Sequence, residues 1–262
     1  MTTTQTIVLI TGATQGIGLK IARQLCASHP DYLILLSACD PERGAQAAAS
    51  IQQSTGHEAI EPITIDVTSD TSIAEAARHF ATKYGSLDVL INNAGINNEV
   101  LGRDSGRSSL RDIYREAYDV NVFGAAMTTE AFIPLLFKSN TKSSNPPRVV
   151  FVSSHTGSLA LRSDPTASSR GVWYTRLHTP TCPIYRSSKA ALNMLTLHYA
   201  TRFEGEGWKV NASCPNLTAT GSSGGVGRPV GESARNVVRL ATLGGEGETG
   251  TYSDEEMGCP EI

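Results

Sequence analysis

The chain has 262 residues, enough for one large domain with a sizeable core or two small ones. Hydrophobic residues make up 40% and charged residues 18%, proportions of an ordinary soluble globular protein. A formal net charge of −3 gives no reason to expect nucleic acid or an anionic membrane surface as a partner.

The opening residues carry no basic stretch, and the apolar run at 7–10 is too short for a signal peptide or a membrane span. Five cysteines (Cys26, Cys39, Cys182, Cys214 and Cys259) are an odd number, widely spaced, with no CxxC pair. That spacing argues against a disulfide framework and against a zinc site, and for a reducing compartment. The expectation is a cytoplasmic protein without a metal.

Short β-rich apolar runs alternate with helical patterns along the chain. Strands are expected at 6–10, 32–37, 62–65, 87–91, 148–152, 208–212 and 250–252. Helices are expected at 17–27, 42–54, 71–84, 110–137, 184–203 and 232–243. Near-continuous apolar strands separated by helices predict an α/β fold: a doubly wound parallel sheet of about seven strands, covered by helices on both faces. One domain over 1–262 is the economical reading. Two segments break the rhythm. Residues 159–183 are rich in Ser, Thr, Pro and Arg and read as an inserted loop; 221–231 are glycine-rich and read as a flexible connection.

Thr11-Gly12-Ala13-Thr14-Gln15-Gly16-Ile17-Gly18 stands between the first strand and the first helix. Glycines there permit a tight turn and let the backbone approach a pyrophosphate seated at the helix N-terminus. An enzyme selecting NAD usually places an acid at the end of the second strand. Here that end reads Leu35-Leu36-Ser37-Ala38-Cys39, and Asp40 falls past the expected spot. Ser37 could donate to a 2′-phosphate, and Arg43 is a candidate partner for it, so NADP is favoured and NAD remains possible.

Tyr185-Arg186-Ser187-Ser188-Lys189 supplies a tyrosine and a lysine at i and i+4, on one face of a helix. An ammonium there favours the phenolate and lowers a tyrosine pKa from about 10. A tyrosine so poised can pass a proton to or from a carbonyl or alcohol oxygen. Taken alone, the spacing also fits a solvated surface pair.

Together these residues resemble the short-chain dehydrogenase/reductase family, in its compact single-domain branch, over nearly the whole chain. TGxxxGxG is Thr11 to Gly18. The Asp-Val that usually flanks the adenine ring is Asp66-Val67. NNAG is Asn92-Asn93-Ala94-Gly95, and the helix asparagine is Asn121. The active-site serine of SSxxG is matched by Ser154, with Ser153 as the alternative if the register slips by one. PGxxxT appears as Pro215-Asn216-Leu217-Thr218-Ala219-Thr220. The resemblance implies a tetrad of Asn121, Ser154, Tyr185 and Lys189. Tyr185 would act as general acid, Ser154 would bond the substrate oxygen, and Lys189 would tune Tyr185 and hold the nicotinamide ribose. Asn121 would hold a water of the proton relay. It implies an NADP(H)-dependent oxidoreductase interconverting a small-molecule ketone or aldehyde and an alcohol.

Three features depart from the family pattern. Ser154 and Tyr185 stand 31 positions apart, a wide gap that resembles the insertion of monomeric carbonyl reductases and reads as a lid or a solvated loop. Asn216 replaces a glycine, and asparagine tolerates positive φ better than most residues. The segment after Thr220 holds too few apolar side chains to define a deep pocket. Monomer, dimer and tetramer all stay open. The competing reading is a sensor or scaffold that binds NADP(H) on the same fold without turnover.

Overall fold

Alternation along the strands decides the architecture. Leu33 and Leu35 enter one core cluster while Ile34 and Leu36 enter another, and Leu90 and Val149 part from Ile91 and Val150 in the same way. Side chains of period two thus feed two cores, one on each face of a single sheet. The structure is a computed structural model that describes residues 5–99, 109–140, 145–164, 182–220, 225 and 227–254.

The elements in chain order are β1 (Thr6–Ile10), α1 (Gly16–Ser28), β2 (Tyr32–Ala38), α2 (Pro41–Thr55), β3 (Ile60–Thr64), α3 (Asp70–Lys83) and β4 (Val89–Asn92). After them come α4 (Leu110–Tyr118), a π-helical stretch (Asp119–Gly124), α5 (Ala125–Asn140), β5 (Arg148–Val152), a 3₁₀ turn (His155–Gly157) and α6 (Leu159–Ser163). Then follow α7 (Pro183–Arg202), β6 (Lys209–Ser213), α8 (Val230–Ser233), α9 (Arg235–Ala241) and β7 (Tyr252–Ser253). All strand pairs are parallel, in the order β3-β2-β1-β4-β5-β6-β7. The order reverses between β1 and β4. Ligands of open α/β sheets bind at such a switch point, beyond the carboxyl ends of the strands.

The sheet has the expected class and strand number; several boundaries differ for local reasons. The single helix expected at 110–137 is three stretches, because a π-turn interrupts it at 119–124. Gly124 ends that turn where the chain meets Val67: a Cβ there would lie 2.8 Å from the Val67 carbonyl oxygen. The run Leu110–Ser139 is long and apolar enough to cross a membrane, yet 56% of its most apolar window is buried within the fold, as in a core helix. The helix expected at 232–243 breaks at Ala234 into α8 and α9. The third strand begins earlier than expected, with Ile60 paired to Ile34.

The insertion does not begin as a loop. Ser158 accepts the Leu161 N–H at 3.1 Å and caps the short helix α6. Residues 165–181, the bulk of the expected insertion or lid, lie outside the described residues, as do 221–224 and 226. The connection expected at 221–231 is structured at its far end. The Arg228 N–H donates to Leu217 at 2.8 Å, and α8 has begun by Val230. Asn216 does adopt positive φ, 59°.

Candidate active site

Four loops leave the carboxyl edge of the sheet and meet beside α7. The first is the glycine loop. Gly12 and Gly16 take φ of 61° and 56°, the left-handed region where a side chain is strained. A Cβ on Gly12 would lie 2.9 Å from Ala94 Cα, and one on Gly18 would lie 2.4 Å from Asn93 Nδ2 and 2.7 Å from the Gly12 carbonyl oxygen. Helix, strand and the loop after β4 therefore close together only because these positions lack side chains. Thr11 Oγ1 accepts the N–H groups of Asn93 and Ala94 at 2.9 and 3.0 Å, and Asn93 Nδ2 donates to the carbonyls of Thr11 and Gly12 at 2.9 and 3.0 Å. Asn92 Nδ2 donates to Thr129 on α5 at 3.0 Å. Gly95 lies between two catalytic candidates: its Cβ would meet Asn121 Oδ1 at 3.3 Å and Lys189 Nζ at 3.4 Å.

Helix α1 starts at Gly16 with no side-chain cap and no acid in its first turn. Its free N–H groups and positive dipole end suit an anion, and the glycine cradle leaves room for the backbone to reach one. Thr14 and Ile17 belong to this turn; Thr220 reaches its rim, with Cγ2 3.6 Å from where a Gly16 Cβ would stand. These residues fit a dinucleotide.

Near the end of β2, Ser37 is fully buried and its hydroxyl has no partner among the described residues. Its carbonyl accepts the Ala13 N–H at 3.0 Å, so its observed part is to hold the glycine loop. Asp40 caps α2, accepting the N–H groups of Glu42 and Arg43 at 2.9 and 3.4 Å. Arg43 is exposed and reaches across to Gln15 Oε1 at 3.2 Å. Asp66 turns the chain after β3, taking the Thr68 N–H and hydroxyl at 2.9 and 2.7 Å, and Val67 packs into the core. Beyond β6, Thr218 donates to the Pro215 carbonyl at 3.1 Å and to Ser233 at 2.7 Å.

The π-turn carries Asn121 into a fully buried position. Its Oδ1 accepts the Ile96 N–H at 2.8 Å; its Nδ2 donates to the Ile96 carbonyl and to Ser188 Oγ, each at 2.9 Å. Lys189 is 4% exposed, and its Nζ donates to the Val152 carbonyl at 2.8 Å and stands 5.7 Å from the centre of the Tyr185 ring. Burial pushes Lys189 down to about 8. Ser153 and Ser154 part company at the end of β5. Ser153 is buried against α7, its hydroxyl 2.5 Å from Asn193 Oδ1. Ser154 is half-buried and caps the 3₁₀ turn at Thr156, its hydroxyl 2.9 Å from Thr156 Oγ1. Gly157 lets this turn lie on α7: a Cβ there would be 2.6 Å from the Lys189 carbonyl carbon.

The expected lowering of the Tyr185 pKa is overturned. Burial raises it to about 12, the neighbouring Cys214 and Cys182 add to the rise, and only the nearby Ser154 hydroxyl opposes it. Desolvation of the phenolate outweighs an ammonium 5.7 Å from the ring centre.

Sequence reading missed the groups behind this cluster. His155 Nε2 donates to Asp254 Oδ2 at 2.7 Å, and the His155 ring meets Tyr252 edge-on at 5.7 Å. Burial pushes the His155 pKa down, but the interaction with Cys214 and the Asp254 bond outweigh it and lift it to about 10. Cys214 Sγ accepts N–H groups from His155 and Asn216 at 3.1 and 3.3 Å. No motif announced the pair, because its members are 99 positions apart. Among the described residues no group of three His, Cys, Asp or Glu side chains is arranged to hold a metal.

The fold and this cluster define a nicotinamide-dependent oxidoreductase of the dinucleotide-binding α/β class. A family model for short chain dehydrogenases matches residues 6–168, and the chain belongs to that family. The short-chain dehydrogenase anuI of Penicillium roqueforti is 38% identical over 256 residues, spanning 97% of this chain and 95% of that protein. Two solved structures are each 26% identical. NADPH-bound carbonyl reductase from chicken fatty liver has a TM-score of 0.79, with 98% of this chain and 99% of the other covered. Salutaridine reductase from Papaver somniferum has a TM-score of 0.76, with 95% and 99% covered. The family acts on small molecules.

Proposed function

We propose that the chain is an NADPH-dependent reductase of a small ketone or aldehyde, with Tyr185 as the proton donor. The observation that carries this reading is the meeting of Ser154, Tyr185 and Lys189 beside the glycine loop's anion-ready helix end. A reduced nicotinamide, when bound, supplies a hydride to the carbonyl carbon. The phosphates would be held by Gly12, Thr14, Gln15, Gly16, Ile17 and Gly18, and the ribose beside the nicotinamide by Tyr185 and Lys189.

The remaining work falls to the side chains. Ser154 hydrogen-bonds the substrate oxygen and stabilises charge developing on it. Tyr185 gives that oxygen its phenolic proton; a pKa raised to about 12 keeps the proton in place at neutral pH. Lys189, lowered to about 8, is the nearby group able to return a proton in that range. Asn121 holds Ile96 and Ser188, and the relay water of the family would add to those bonds.

NADP is preferred over NAD because the acid nearest the end of β2, Asp40, is engaged as a helix cap while Arg43 lies exposed beside Gln15. The four described cysteines are all unpaired, which supports a reducing, cytoplasmic setting. Consumption of NADPH against a panel of ketones, aldehydes and quinones tests the reading. Turnover with at least one class is expected; tight NADPH binding without any turnover would favour the sensor instead.

A further inference from the structure

Helix α7 carries Tyr185 in its first turn, and its start is unusual. The residue at the N-cap, Cys182, has φ of 55° and its side chain caps nothing. A non-glycine residue in that region is strained, so surrounding contacts must hold it. Pro183 at the first helical position has no N–H to satisfy. The Arg186 N–H already donates to the Cys182 carbonyl at 3.0 Å. That leaves Ile184 and Tyr185 as the first-turn donors needing acceptors from outside the helix.

The Tyr185 N–H finds one 86 positions away. It donates to Glu99 Oε2 at 2.9 Å, and Glu99 is only 3% exposed. A carboxylate here does the work of a missing N-cap and faces the positive end of a 20-residue helix dipole. The carbonyl of Tyr185 is gripped as well: Ser188 Oγ donates to it at 2.7 Å, and Asn121 donates to Ser188. Asn121 also clamps both backbone groups of Ile96, three residues before Glu99. Asn97 Nδ2 reaches Cys182 Sγ at 3.8 Å, a second stitch between the same segment and the helix start.

These hydrogen bonds, from Glu99 through Tyr185, Ser188 and Asn121 to Ile96, are closed into a ring by the chain itself from 96 to 99. The segment at 96–99 continues directly from Asn93, Ala94 and Gly95, which hold the glycine loop. We propose that Glu99 is a positioning residue for carbonyl reduction: its carboxylate caps the catalytic helix at Tyr185 and ties the placement of the phenol to the cofactor-binding loop. This rests on the reading of Tyr185 as the proton donor.

The test compares Glu99→Ala, Glu99→Asp and Glu99→Gln in the full chain. Three readouts are taken: kcat, NADPH affinity, and the hydrogen-exchange rate of the Tyr185 amide. Glu99→Ala is expected to lower kcat about tenfold or more while NADPH affinity stays within about twofold, since misplacing a reacting group by an ångström costs on the order of a hundredfold. Its Tyr185 amide should exchange faster. Glu99→Gln, which keeps an acceptor oxygen of the same reach, should restore both; Glu99→Asp, one methylene shorter, should restore neither. The proposal is overturned if Glu99→Ala keeps wild-type kcat and amide protection. It is also overturned if kcat and NADPH affinity fall together, which marks a structural prop only. Should Glu99→Ala not fold, the contrast between Gln and Asp decides. Amide exchange reads the cap without any substrate, so an inactive wild type would count against the carbonyl-reductase reading while leaving Glu99 decided on its own.

Discussion

Asp254 and His155 hold each other at 2.7 Å behind Ser154, and the sign of their pH dependence follows from the lifted imidazole. A group whose folded pKa, about 10, exceeds its ordinary 6.5 stabilises the fold fully below 6.5 and loses that contribution as pH rises through 10. Asp254→Asn should therefore lower the melting temperature near neutral pH by about 3–10 °C and have little effect in strong alkali. Equal destabilisation at both extremes, followed by thermal unfolding across pH, would deny the ion pair its role. At the cofactor end, Arg43→Ala should weaken NADPH binding about ten- to a hundredfold while changing NADH binding little, because only the former offers a 2′-phosphate. Fluorescence titration of the two cofactors separates the outcomes. Tyr185, Lys189 and Ser154 were legible in the sequence because short local spacings carry them. Glu99, His155 and Asp254 were not, since each acts through a partner many positions away. The Tyr185 pKa was misjudged for a related reason: spacing places the ammonium, but only packing sets the burial that outweighs it.

At the level of elements, glycine positions separate contacts that are required from those that are incidental. Gly157→Ala drives a Cβ to 2.6 Å and 2.7 Å from backbone atoms of Lys189 and Ala190, which cannot swing aside as a side chain could. It should cost about 1–3 kcal/mol and pull the Ser154 turn off α7, with activity falling further than stability. Gly205→Ala meets nothing within 4 Å and should leave both nearly unchanged. Denaturant unfolding and turnover of the two variants make the comparison. The strands and most helices were readable because apolar alternation and 3.6-residue periodicity are local. The π-turn was hidden inside a continuous helical pattern, since Asp119–Gly124 meets Val67 in the connection after β3, more than fifty positions away.

For the whole molecule, reversal of strand order between β1 and β4 gathers the glycine loop, Asn92 to Gly95, Ser154 and Pro215 along one edge of the sheet. A dinucleotide spanning that edge would touch the loops after β1, β4, β5 and β6 at once, so binding should stiffen the fold as a unit. At a hundredfold excess over Kd, linkage gives about 2.7 kcal/mol, or roughly 5–10 °C in melting temperature. NADPH should deliver that shift and NADH less of it at equal concentration. The most direct test of the central claim is carbonyl-dependent oxidation of NADPH by Tyr185→Phe beside the parent chain. Loss of the phenolic proton should cut turnover by roughly 10²–10⁴-fold, with NADPH affinity falling by about tenfold or less as one ribose contact is lost. Near-parental turnover in Tyr185→Phe would contradict the assignment of Tyr185 as the acid.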